Sequence, residues 1–125
     1  MNVPANLKFT KDHEWIKIEG SEALIGITDY AQSELGEIVF VELPAVGESK
    51  DKETVFGTVE AVKAVSDLFM PASGDIIAVN TELENKPELI NEDPYEAGWL
   101  IRIVLKDVSE TDNLMTAEQY KTFIQ

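Results

Sequence analysis

Val59-Glu60-Ala61-Val62-Lys63-Ala64-Val65-Ser66-Asp67 sets one lysine in a short apolar run flanked by acids. An ammonium on a long stem is costly to bury, so a lysine among small apolar residues reads as the tip of a hairpin. The arms are Thr54–Val62 and Ala64–Pro71. No Asn-Gly or Asp-Gly marks the bend, so the placement rests on what lies on either side. Gly36-Glu37-Ile38-Val39-Phe40-Val41-Glu42 and Gly74-Asp75-Ile76-Ile77-Ala78-Val79-Asn80 match in residue class, position by position. That internal repeat brackets Lys63, and two such units can form two sheets closed over one core. A lysine displayed at the tip between them is open to modification.

Working outward, Glu14–Glu19 alternates apolar and polar residues, Gly20-Ser21 turns, and Ala23–Ile27 forms a second apolar run; the pattern predicts a hairpin. Asp29 with Gln32 has the form of a capping box, and Gly36 supplies a stop, which predicts a short helix over Tyr30–Leu35. The polar stretch from Thr81 to Gly98, with Pro87 and Pro94, reads as a surface loop with one helical turn. Trp99–Leu105 reads as a strand, and Trp15 and Trp99 as core residues. Thr116 with Gln119 caps a C-terminal amphipathic helix carrying Tyr120, Phe123 and Ile124. A chain of 125 residues that is 44% hydrophobic predicts one mainly β domain spanning 1–125.

Composition narrows the function. Ten Lys and Arg against 24 Asp and Glu give a net charge of −14, a field that repels phosphate backbones and anionic lipids; nucleic acid and membrane are excluded as expected partners, and proteins remain. There is no cysteine, hence no thiolate nucleophile, thiolate metal site or disulfide framework. The N-terminus has neither a signal-peptide nor a transit-peptide pattern, and no apolar run approaches a membrane span, so a cytoplasmic, monomeric protein is expected. Asp12-His13-Glu14 is the one arrangement with acid and base groups. Neighbours on a strand face opposite ways, so His13 reads as structural. Glu92-Asp93 reads as a solvated loop and not as a cation site. The glycines are scattered at turns, and no nucleophile elbow or histidine metal spacing occurs. What remains is a small acidic β-rich domain that presents one lysine, which fits a carrier better than an enzyme.

The hairpin with Met70-Pro71-Ala72-Ser73-Gly74 resembles the lipoyl-attachment segment of the glycine cleavage system H proteins. Phe9–Trp15, Gly26–Gln32, Leu35–Pro44, Leu89–Tyr95 and Gly98-Trp99 resemble that family in order and spacing too, so the likeness spans essentially the whole chain. Ala61, where the family often has serine, and Lys52-Glu53, in place of a glycine-containing turn, depart from it. The resemblance implies a barrel-sandwich hybrid of the lipoyl/biotinyl type, with lipoic acid in amide linkage to Lys63. It implies that P-protein loads an aminomethyl group from glycine onto the arm, T-protein passes its carbon to tetrahydrofolate, and L-protein reoxidises the dithiol. Lipoate ligase or octanoyltransferase would attach the group. A sulfur-bound aminomethyl group is readily lost to water, so the loaded arm is expected to fold into a cleft. The family assigns Glu14 and Asp67 to its ammonium, with Ile27 and Leu35 as apolar contacts. Two rivals use the same lysine. A biotin carrier domain shows Glu-Ala-Met-Lys-Met, where this chain has Glu60-Ala61-Val62-Lys63-Ala64; an H-like relay would serve another complex.

Overall fold

The computed structural model describes residues 1–125. Nine strands form two antiparallel sheets. The larger holds β1 (Lys8–Phe9), β2 (Glu14–Glu19), β3 (Glu22–Ile27), β9 (Ile101–Leu105), β8 (Gly74–Val79) and β5 (Ser49–Lys50), in that spatial order. The smaller holds β4 (Ile38–Glu42), β6 (Val55–Ala61) and β7 (Val65–Phe69). Three α-helices, α1 (Asp29–Leu35), α2 (Leu89–Glu92) and α3 (Ala117–Phe123), and two 3₁₀ turns, Thr81–Glu84 and Val108–Thr111, complete the chain. The architecture is the mainly β, two-sheet arrangement expected of a barrel-sandwich hybrid.

The repeated segments fall in different sheets, β4 in the smaller and β8 in the larger. Each has its register shift at the matching step, Ile38/Phe40 in β4 and Ile76/Ala78 in β8. A bulge puts one extra residue on one strand and bends it, so the repeat extends to the irregularity. Ile38 and Ile76 both point inward, 2% and 1% exposed. They meet in one cluster with Ile16, Ile25, Val59, Leu68, Ile101 and Ile103, drawn from both sheets.

A second, smaller cluster gathers Val3, Leu7, Phe9, Trp15, Ala117 and Tyr120. Here Trp15 lies opposite Gly26 on β3, and its ring fills the place a side chain would take: a Cβ on Gly26 would come within 2.6 Å of ring atoms. The indole nitrogen donates to Pro94 O at 3.0 Å. Tyr120 stacks on Phe9, ring centroids 4.6 Å apart, which seats α3 against β1. The capping box of Thr116 and Gln119 is formed.

Three sequence expectations change. The N-cap of α1 is Thr28, whose hydroxyl accepts from Ala31 N–H; Asp29 is the first helical residue and instead accepts from the Gln32 amide at 2.7 Å. The polar stretch 81–98 holds a 3₁₀ turn and α2, pinned by buried Leu83 and Ile90. Trp99 is half-buried at the margin of the smaller cluster, so only Trp15 of the two tryptophans is core. The two-residue strands β1 and β5 are too short to show alternation.

Candidate functional site

The β6–β7 hairpin closes through Val62 and Lys63, with Glu60 opposite Val65 and Ala61 N–H bonded to Ala64 O at 2.7 Å. Neither Val62 nor Lys63 has positive φ. The bend is therefore outside the I′ and II′ classes that call for Asn-Gly, and the missing turn signal is explained. Lys63 is exposed at the tip, between exposed Val62 and Ala64.

The base of this tip is built by α1, β4 and α2. Val62 N–H donates to Glu37 O at 3.1 Å. The Asn91 side chain accepts from Ile38 N–H at 2.9 Å and donates to Gly36 O at 2.8 Å and Gln32 Oε1 at 3.0 Å. One amide thus ties three elements together beneath the hairpin. Gly36 closes α1 at φ 81° and ψ −155°, a region open essentially to glycine alone. The Lys63 stem runs over it, with Cε 3.3 Å from where a Gly36 Cβ would sit. Its ammonium thereby lies at the carbonyl end of α1, which favours a cation.

Val65, Asp67 and Phe69 share the outer face of β7, since alternate residues of a strand face alike; Val65 and Asp67 are exposed. Phe69 lines a cavity of about 350 Å³ with Phe9, Thr10, Glu14, Met70 and Met115, among others. Glu14 is 1% exposed. Its Oε1 accepts from Thr10 Oγ1 at 2.8 Å and its Oε2 from Phe69 N–H at 3.3 Å. No cation pairs with it: the ion pairs of the fold involve Lys50, Arg102 and Lys121. Burial pushes the Glu14 carboxyl up to about 8, with the Asp12 charge adding to the rise and the two hydrogen bonds opposing it. A carboxyl that is buried, moved from its ordinary range and set at a cavity wall is a candidate functional group.

The expected residues are brought together in part. Glu14 pairs with Ile27 across β2 and β3 and reaches β7 through Phe69. Ile27 is 3% exposed and, with half-buried Leu35, packs in the main core, so little of either faces outward. Asp67 lies two residues from Phe69 on the same face but forms no hydrogen bond with Glu14, whose carboxyl bonds Thr10 and Phe69. His13 is tied into the fold, its Nδ1 2.9 Å from Tyr120 Oη, which also bonds Thr28 Oγ1 at 2.7 Å. Burial lowers its pKa, against the charges of Asp12 and Glu34. Sequence reasoning missed Thr10 and Asn91. Both lie in segments already singled out, Phe9–Trp15 and Leu89–Tyr95, but nothing in those segments shows that Thr10 bonds Glu14 or that Asn91 binds chain-distant partners.

Residues 7–125 match the family model described as glycine cleavage H-protein. A glycine cleavage system H protein of Bacillus cereus (strain AH187) is 53% identical over 120 residues, covering 96% of this chain and 94% of the relative. One from Bacillus anthracis (strain A0248) is 52% identical over the same length. The crystal structure of a glycine cleavage system H protein from Mycobacterium marinum superposes with TM-score 0.88 at 41% identity, covering 96% of this chain and 97% of that one.

Proposed function

We propose that Lys63 bears the lipoyl group of this chain, which belongs to the glycine cleavage H-protein family and is a lipoyl carrier of the glycine cleavage system. The observation that carries the residue assignment is the exposed hairpin tip at Lys63, seated on a base fixed by Asn91 and followed by an open strand face that leads to a buried acid. The lipoyl group would supply a disulfide that can be reduced, loaded and reoxidised, sulfur chemistry that a chain without cysteine lacks.

The chain fits such a group in reach. Phe69 is six residues from Lys63, roughly 20 Å along β7 at ~3.3 Å per residue. At ~1.2 Å per bond of extended chain, a lipoyl-lysine spans roughly 16 Å to the far side of its closed ring, and the opened arm carrying an aminomethyl group on its far sulfur roughly 19 Å. Both forms therefore pass Asp67, roughly 13 Å along the strand, and the loaded one comes nearest to Glu14. Asp67 and Glu14 take the roles of outer and inner acid, Val65 and Phe69 offer apolar surface between them, and the cavity excludes water from the labile end. Ile27 and Leu35 act from behind, by holding Glu14 and α1 in place.

P-, T- and L-proteins are the proposed successive partners, and lipoate ligase or octanoyltransferase the modifying one. The reaction chemistry rests with those enzymes, and residues 1–125 act as one carrier unit that shelters the cargo. A cytoplasmic place suits that traffic in bacteria like those of its relatives. Family membership favours lipoate over biotin. Intact-mass measurement on protein from its native host tests the assignment: a lipoyl increment that disappears in Lys63→Arg is expected, and one that survives, or a biotin increment, would overturn it.

A further inference from the structure

We propose that Thr10 is the positioning residue of the Glu14 site: its hydroxyl commits one carboxyl oxygen as an acceptor and leaves Oε2 as the oxygen that trades its proton for an arriving ammonium. The inference rests on the reading that Glu14 receives the cationic end of the loaded arm. It deepens that reading by naming what aims the acid.

A threonine hydroxyl has one proton to donate and two lone pairs. Asp12 N–H and Glu14 N–H donate to Thr10 Oγ1 at 3.2 and 3.1 Å, and these fill both lone pairs. The hydroxyl is left as a donor only, and Glu14 Oε1, 2.8 Å away, receives its proton. The 2.8 Å bond from Thr10 is shorter than the 3.3 Å bond from Phe69 N–H to Oε2, and a neutral carboxyl keeps its more strongly bonded oxygen as the carbonyl. Oε1 is therefore an acceptor whether the carboxyl is charged or neutral, and the exchangeable proton belongs to Oε2. That oxygen faces β7 through the longer bond from Phe69 N–H, at 3.3 Å.

The other charged groups around the cavity are Lys11, Asp12, Lys52 and Glu53. Lys52 Nζ donates to Glu110 O at 2.8 Å, neither Lys52 nor Lys11 forms an ion pair, and the Asp12 charge works against a second anion beside it. From the α3 side, the Tyr120 phenol is pushed up to about 12, chiefly by burial and in small part by Glu14. None of these groups supplies the missing countercharge. When an ammonium reaches Oε2, the O–H bond breaks, the proton leaves to water, and the carboxylate and the ammonium form the pair. Without the Thr10 proton the carboxylate is poorer by one charge-assisted hydrogen bond, and proton loss needs a higher pH.

The test follows the Glu14 side-chain carboxyl by carbon NMR through a pH titration of the unmodified chain, in wild type, Thr10→Ser, Thr10→Val and the smaller Thr10→Ala. Serine should keep the midpoint near the wild-type value. Valine and alanine should raise it by about one pH unit or more, as loss of a hydrogen bond to a charged group requires. The lifetime of the aminomethylated protein, measured against pH, should shift in the same direction by the same amount. A folded valine or alanine variant with an unmoved midpoint overturns the proposal, and so does a serine variant that moves as far as valine. Glu14→Gln separates the two claims: if it leaves the lifetime unchanged, the reading of Glu14 as the receiving acid fails, whatever the titration of the Thr10 variants.

Discussion

Glu14→Gln should make the unmodified protein progressively more stable than wild type as the pH rises. Glu14 is 1% exposed, has two neutral donors, and has its carboxyl moved from 4.5 to about 8, chiefly by burial. A folded-state value above the unfolded one means that the native state holds the proton more tightly. The resulting stability is fully present below about 4.5 and is lost as the pH climbs through about 8. At 1.36 kcal/mol for each pH unit of difference, the whole loss approaches about 5 kcal/mol, and about 4 kcal/mol of it falls between pH 5 and pH 9. Glutamine keeps an oxygen for Thr10 and carries no charge, so any fixed penalty of its amide is the same at both pH values. Urea denaturation followed through the fluorescence of buried Trp15 gives the two stabilities. The variant should gain on wild type by about 4 kcal/mol from pH 5 to pH 9. Two stability curves that stay parallel would mean instead that Glu14 is as easily charged in the fold as in the open chain.

Further outcomes follow from the packing and the charge. Gly26→Ala drives a methyl into the immobile Trp15 ring and should lower stability by about 1–3 kcal/mol in the same denaturation assay. Asn91→Ala leaves Ile38 N–H and Gly36 O without their partner; a loss of about 1–3 kcal/mol is expected, with amide exchange quickening at Gly36–Ile38 and Val62. Amide formation at Lys63 would remove one cation from a chain already at −14, leaving it near −15. Binding to T-protein, measured by calorimetry, should weaken as salt is added, and an affinity indifferent to salt would contradict docking on basic patches.

The strands were legible because burial on one face writes itself as alternation, as in Ile16–Glu19, and because β4 and β8 repeat the same residue classes down to their bulges. The start of α1 was displaced by one residue since Thr28 and Asp29 are both capping types; the contact between Asp29 and Gln32 that suggested the box is a bond within the first turn. The stretch 81–98 passed for a loop because elements of four residues bury single side chains, Leu83 and Ile90, too few to set up a period. Lys63 was legible as a cation in the wrong company. The state of Glu14 was not, since an acid at a strand start is ordinary until Thr10, Phe69 and the cavity are seen around it. Asn91 was hidden for the same reason, its three partners lying more than fifty residues back along the chain.

An arm on Lys63 would cross the outer face of β7 and deliver a cation to Glu14. The Phe69 amide, bonded to Glu14 Oε2, is its reporter. Amide NMR spectra of the lipoylated protein before and after aminomethyl loading should differ at Asp67, Phe69 and Thr10, with no such change in Lys63→Arg. Changes confined to Val62–Ala64, with Phe69 unmoved, would contradict the account.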